Sequence, residues 1–154
     1  VFIIDAFNLI HKVSQLRKSN TPHNDLLHFI KNNNLTGSLR NKVEIVFDGG
    51  IGQRLVNPYC NFKITFSNNT TADEVIKDKL DIVKNPRQIV VVSDDRQVQS
   101  YARKAGAKIC KIGEFLYPKG KTKTKNSKEG NTKDISFSLQ HEITKEMRKI
   151  WLDE

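Results

Sequence analysis

No apolar run in this 154-residue sequence is long enough to span a membrane. Stretches such as Ile89 to Val92 fall far short of the ~20 residues a bilayer requires, so no membrane partner is expected. No charged segment leading into an apolar one opens the chain, so a secretory signal is not expected and a cytoplasmic setting is. The chain starts directly on the apolar run at Val1, as a trimmed chain also would. Cysteine is scarce. Cys60 and Cys110 form no CxxC or Cys/His pattern, and are read as small buried or half-buried thiols in a reducing compartment. That argues against structural zinc and against a disulfide framework. His11, His23, His28 and His141 are scattered, with no second histidine at a ligand spacing. GxSxG, GxxxxGK[ST] and GxGxxG are all missing, which removes the serine-nucleophile and phosphate-loop classes.

Acidic charge is also in deficit, and unevenly so. The net charge is +9. Residues 1–118 hold 17 Lys+Arg against 11 Asp+Glu, whereas the fifteen residues 119–133 hold 6 against 1. Residues 134–154 reverse the sign, with 3 against 5. The concentration at Lys119, Lys121, Lys123, Lys125 and Lys128 suits a polyanion through counterion release, and nucleic acid is the commonest polyanion in a cytosol. A lysine run is also what a solvated loop looks like, and charge alone does not choose between them.

Hydrophobic residues make up 37% of the chain and charged residues 28%, ordinary values for one globular domain. Val1 to Ile4 is a β-type run ending on Asp5, and Val43 to Phe47 is another, ending on Asp48-Gly49-Gly50. Phe62, Ile64 and Phe66 alternate with polar residues at the period of a strand with one wet face. Leu26, Leu27, Phe29 and Ile30 form a helical stripe with Asn24 or Asp25 near its start. Thr71 and Glu74 make a capping box for a helix whose buried face is Val75, Ile76, Leu80 and Val83. Ile89 to Val92 is a fourth strand, followed by a helix that Asp94 with Gln97 can cap and that Gly106 stops. Lys108 to Ile112 is a fifth strand. Alternating strands and helices, several strands being apolar throughout, predict an α/β fold with a largely parallel sheet covered on both faces. Residues 119–133 read as a basic flexible loop. Ile143, Met147, Ile150 and Trp151 then place a C-terminal helix in 134–154 that is expected to dock on the 1–118 core.

Three of these strands end in aspartate, at Asp5, Asp48 and the Asp94/Asp95 pair, and Asp73 starts the helix after a fourth. In open α/β sheets, function gathers at the carboxyl ends of strands. In a parallel sheet Asp5, Asp73 and Asp94/Asp95 can meet at one edge, with Asn8 pointing to the same place. Carboxylates crowded together repel unless a proton or cation neutralises them, and hard oxygen donors select Mg2+ or Mn2+ over zinc. Such an ion activates water and steadies a phosphodiester under attack. An acidic centre with a basic surround is the charge pattern of a nuclease. Each residue also has a structural reading. Asp73 sits at the second position of its helix, Asp94 is a possible N-cap and Asp48 precedes a Gly-Gly turn. Asp5 alone has no capping role visible in the sequence.

Residues 3–11, Ile3-Ile4-Asp5-Ala6-Phe7-Asn8-Leu9-Ile10-His11, resemble the opening "IIDGYNVIH" of YacP-like NYN domains, a PIN-like ribonuclease group. Val46-Phe47-Asp48-Gly49 resembles their "VFDG". Phe66-Ser67 and Thr71-Ala72-Asp73-Glu74-Val75-Ile76 resemble "FS…TADxxI", and Val91-Val92-Ser93-Asp94-Asp95-Arg96 resembles "VVTSDR" or "VVSNDR". Each motif is weak alone; in family order across residues 1–118 they are specific. The resemblance implies a PIN-like three-layer α/β/α sandwich and a Mg2+- or Mn2+-dependent endoribonuclease acting on single-stranded RNA. Its acidic site would be Asp5, Asp73 and Asp95, with Asn8 positioning. Asp94 stands where the family often has Ser or Asn, so it is a spare ligand or a cap. Arg96 and the lysines of 119–133 would hold phosphates, and the ribosome enters as a candidate partner. The rival from another class is a non-catalytic RNA-binding or ribosome-associated module on the same fold. An aspartyl-phosphate phosphatase or receiver domain fits poorly, because Phe7 stands where a DxD motif needs an acid.

Overall fold

All five expected strands form in the computed structural model, which describes residues 1–50 and 55–118. They are β1 (Phe2–Asp5), β2 (Val43–Phe47), β3 (Phe62–Phe66), β4 (Val90–Val92) and β5 (Lys108–Cys110). The order across the sheet is β3-β2-β1-β4-β5, and every neighbouring pair is parallel. The basic segment 119–133 and the expected C-terminal helix in 134–154 lie outside the described residues.

Alternation along the strands sorts the core into two layers. Ile4, Ile45, Phe47 and Val92 face one way and pack with α1 (Ala6–Lys12), α2 (Ser14–Arg17), α3 (Pro22–Asn32) and α6 (Ile112–Leu116). Ile3, Val46 and Val91 face the other way and pack with α4 (Ala72–Ile82) and α5 (Arg96–Ala105). The result is an α/β/α sandwich. Ile76 and Leu80 on α4 and Val98 and Ala102 on α5 are buried at the helical spacing. Each such Ile or Leu stabilises the fold by about 1.5–3 kcal/mol relative to exposure.

Polar groups are placed with equal economy. Glu44 lies on the α4 face of β2, where Lys79 (2.5 Å), Thr65 (2.7 Å) and Lys63 (3.5 Å) surround it. Burial pushes its pKa up, but these partners outweigh burial and hold it below the ordinary carboxylate value.

Several boundaries differ from the sequence expectation. α3 starts at Pro22 with Thr21 as N-cap rather than at Asn24 or Asp25, because proline's fixed φ suits the first helical position. β5 stops at Cys110, and Ile112 begins α6 instead of ending the strand. Cys60 is exposed rather than buried, in the turn before β3, while Cys110 is half-buried as expected.

The topology fixes where a site can be. From β1 the chain moves outward to β2 and β3, then returns through α4 to β4 on the other side of β1. The connections leaving β1 and β4 therefore diverge, and a crevice opens at their carboxyl ends.

Candidate active site

Asp5 ends β1 in that crevice and is 2% exposed. Its burial is tolerated because donors surround it. The Asn8 backbone N–H donates to Oδ1 at 3.3 Å, Asn8 Nδ2 donates to Oδ2 at 2.5 Å, and the Ser93 hydroxyl donates to Oδ2 at 3.2 Å. The first of these makes Asp5 the N-cap of α1, the capping role that was not visible in the sequence. Asn8 Nδ2 also lies 3.2 Å from Ser93 Oγ, closing a small network between β1, α1 and the end of β4.

Ser93 is the residue that sequence reasoning missed. It is completely buried, and its Oγ accepts the Asp95 backbone N–H at 3.1 Å while serving Asp5. It thereby couples the ends of the two central strands. The available signal was a lone hydroxyl closing an otherwise apolar run, Ile89 to Val92, just before two acids.

Asp95, not Asp94, caps α5. Its Oδ1 accepts from Gln97 N at 2.7 Å and Val98 N at 3.1 Å, leaving Oδ2 clear of hydrogen bonds among the described residues. The Asp94 carboxylate is engaged elsewhere. Its Oδ1 accepts from Ile112 N at 2.9 Å, and its Oδ2 pairs with Lys12 at 3.3 Å. There it lines a cavity of about 560 Å³ with Lys12, Lys111, Gly113, Glu114 and Tyr117.

Asp73 occupies the second position of α4, behind a complete capping box between Thr71 and Glu74. Asp48, exposed at the end of β2, fixes this helix start from outside. Its Oδ1 accepts from Ala72 N at 3.2 Å and from Ser67 Oγ at 2.9 Å. Burial first, then the charges of Asp95, Asp5 and Asp48, raise the Asp73 pKa above the ordinary value, with Lys77 opposing them. The carboxylates of Asp95, Asp5 and Asp48, from three other segments of chain, thus act on Asp73 electrostatically. Arg96, the first residue of α5, is exposed and makes no ion pair among the described residues.

The donor set is all oxygen and mutually repulsive, the chemistry a hard divalent cation relieves. Among the described residues, however, no three Asp, Glu, His or Cys side chains form a ready-made metal cage. Such a set suits a hydrated ion such as Mg2+, which keeps several waters and takes only one or two carboxylates directly. Of the expected site residues, Asp5 and Asn8 are in contact, and Asp73 and Asp95 join them through charge. Asp94 is turned to α6, and Lys119, Lys121, Lys123, Lys125 and Lys128 lie outside the described residues.

The chain matches the YacP-like NYN domain family over residues 2–153. Its fold is similar to that of crystal structures of Rae1 (YacP) from Bacillus subtilis. One is 23% identical, with a TM-score of 0.59 and coverage of 97% of this chain and 80% of that one. A second, of a tryptophan-to-leucine mutant, is 22% identical, with a TM-score of 0.57 and coverage of 99% and 84%. No curated protein matches the chain.

Proposed function

Since this chain belongs to the YacP-like NYN domain family, whose PIN-like fold is that of RNA-directed nucleases, we propose that it is a metal-dependent endoribonuclease for single-stranded RNA. The carrying observation is the buried Asp5 carboxylate at the carboxyl end of β1, which Ser93 ties to the Asp95 backbone at the end of β4. Burial and the charges of Asp95, Asp5 and Asp48 raise the Asp73 pKa beside it, as is common where charge is held for use.

Asp5, Asp73 and Asp95 would hold Mg2+ or Mn2+, which when bound supplies activated water and offsets charge on the phosphodiester. The chain's own groups do the rest. Asn8 and Ser93 fix the Asp5 carboxylate through three hydrogen bonds. Asp95 is oriented by the first turn of α5, which leaves its Oδ2 for the ion. Arg96 and the lysines of 119–133 hold the RNA backbone as positioning contacts. Asp94 is left out of the ligand set because Ile112 and Lys12 engage it. Cytoplasmic RNA, with messenger RNA at the ribosome as the family-derived candidate, completes the proposal; no described helix is long and apolar enough to cross a membrane.

Incubating the purified protein with labelled single-stranded RNA, with and without Mn2+ or Mg2+, tests this reading. Cleavage should require the ion and stop with chelator. Asp5→Asn should slow it by more than ~100-fold, beyond the 10–100-fold that loss of a group behind a ligand costs. Cleavage that persists in chelator, or in Asp5→Asn at the parent rate, would sink the proposal. That no three candidate ligands form a preformed cage among the described residues favours one alternative, a non-catalytic RNA-binding module. Tight RNA binding without cleavage at any divalent ion would establish it.

A further inference from the structure

Phe7 is a large apolar side chain that the core does not use. It is 56% exposed, between buried Ala6 and half-buried Asn8 in the first turn of α1. The core-facing positions of this helix are Ala6 and Leu9. The Phe7 ring rests instead on the imidazole of His11, one turn further on, with centroids 4.2 Å apart and planes inclined by 46°. This i, i+4 pairing restrains a ring that would otherwise be free in water. The helix begins directly after Asp5, so the Phe7 Cα stands only ~5–6 Å from that of the buried carboxylate's residue.

We propose that Phe7, backed by His11, is a stacking platform for a base of the single-stranded RNA whose backbone lies at Asp5. The proposal rests on the RNA-directed reading of that site and adds the residue that positions the substrate there. An aromatic face takes any base, because every base offers a π surface. A platform beside a phosphodiester site therefore favours unpaired RNA, whose bases are free to stack, without imposing a sequence. A protein partner is a poorer occupant. A lone ring pair is far smaller than the ~800 Å² per partner of a standard interface. The other exposed large apolar side chains, Val1, Leu39, Val56, Ile82 and Tyr117, belong to separate segments.

The test uses the full chain and a short single-stranded RNA carrying 2-aminopurine at successive positions. Binding is read by fluorescence quenching without divalent ion, and kcat and KM are measured in parallel with Mn2+. One position should be quenched by the parent. Phe7→Leu should abolish that quenching, weaken binding roughly ten-fold, as loss of one base–aromatic stack does, and raise KM with kcat little changed. Phe7→Trp should restore both. An abasic nucleotide at the quenched position should weaken the parent by a similar factor and Phe7→Leu hardly at all, since the two changes remove one contact. Equal binding by parent and Phe7→Leu overturns the platform, as does a loss that Phe7→Trp does not rescue. RNA that is bound through Phe7 but never cleaved leaves the platform standing and removes the nuclease reading. Cleavage indifferent to Phe7 removes the platform alone, and a protein that binds no RNA removes both.

Discussion

Asp73 sits where folding works against its own charge. Burial and the carboxylates of Asp95, Asp5 and Asp48 raise its pKa from 3.8, and Lys77 only partly offsets them. The native state therefore keeps this proton to a higher pH than the unfolded chain does. Stability then falls as pH rises from the unfolded value through the raised native one, and above that the full cost remains. The dipole of α4 favours an acid near its start, but three like charges and burial oppose it. Asp73→Asn should accordingly melt higher than the parent at pH 7 without divalent ion. The gain should stay under about 1 kcal/mol, because the site is half-exposed and solvent screens it. It should vanish below the unfolded pKa, where the parent is protonated too. Mn2+ should stabilise the parent and leave the variant nearly unmoved, because only the parent keeps the full ligand set. A variant that melts lower than the parent at pH 7 without metal would contradict the repulsion. At this scale the sequence was informative about identity and silent about partners. The placement of Asp5 at a strand end, of Asp73 in the first turn of a helix and of Asp95 just after a strand was legible from the apolar pattern. The buried Ser93 hydroxyl that ties Asp5 to the Asp95 backbone was not, because only the fold brings residues 88 positions apart together.

α6 shows what an acid at a strand end can do apart from chemistry. Ile112 and Phe115 bury this five-residue helix in the core, and the Phe115 ring meets Phe2 at 6.1 Å between centroids. Asp94 receives the first N–H of the helix and binds Lys12 of α1, so one carboxylate links three elements. Asp94→Ala should cost about 1–2 kcal/mol, the usual loss for removing a charged cap. RNA cleavage and Mn2+ affinity should stay near the parent values. Asp94→Asn should cost less, since its amide oxygen still accepts from Ile112. Metal titration followed by calorimetry checks the pair: a large loss of Mn2+ affinity with little loss of stability would return Asp94 to the ligand set. The same element marks the reach of periodicity. Strands with uninterrupted apolar runs and the longer helices α4 and α5 were legible, because burial repeats along them. α1, α2 and α6 are seven, four and five residues long. In so few residues a helical period hardly declares itself, and the Lys108–Ile112 run continued past the true end of β5.

Strand order decides the chemistry of the whole molecule, since β1 and β4 must be neighbours for Asp5 and Ser93 to meet. Composition carried no information on that order; the alternation of elements pointed to a parallel sheet, and the motif resemblance to its PIN-like layering. Charge was legible at this scale in another way. An acidic crevice repels a polyanion, so affinity for RNA has to come from cations around it. Arg96 lies beside the crevice and is exposed, but one arginine neutralises one phosphate. The larger reserve is the fifteen residues 119–133, with 6 Lys+Arg against 1 Asp+Glu. If these lysines grip the backbone, changing Lys119, Lys121, Lys123, Lys125 and Lys128 to glutamine should weaken binding of unrelated single-stranded RNAs by the same factor. The slope of log affinity against log salt should fall by roughly 0.7 for each lysine that touches a phosphate. The positions of any cuts should not move, because phosphate contacts place the strand without reading bases. Filter binding between 50 mM and 200 mM salt, the interval over which such contacts act strongly, measures the slope directly. A slope equal to the parent's would put this segment outside the RNA path and leave the grip to cations of the 1–118 core.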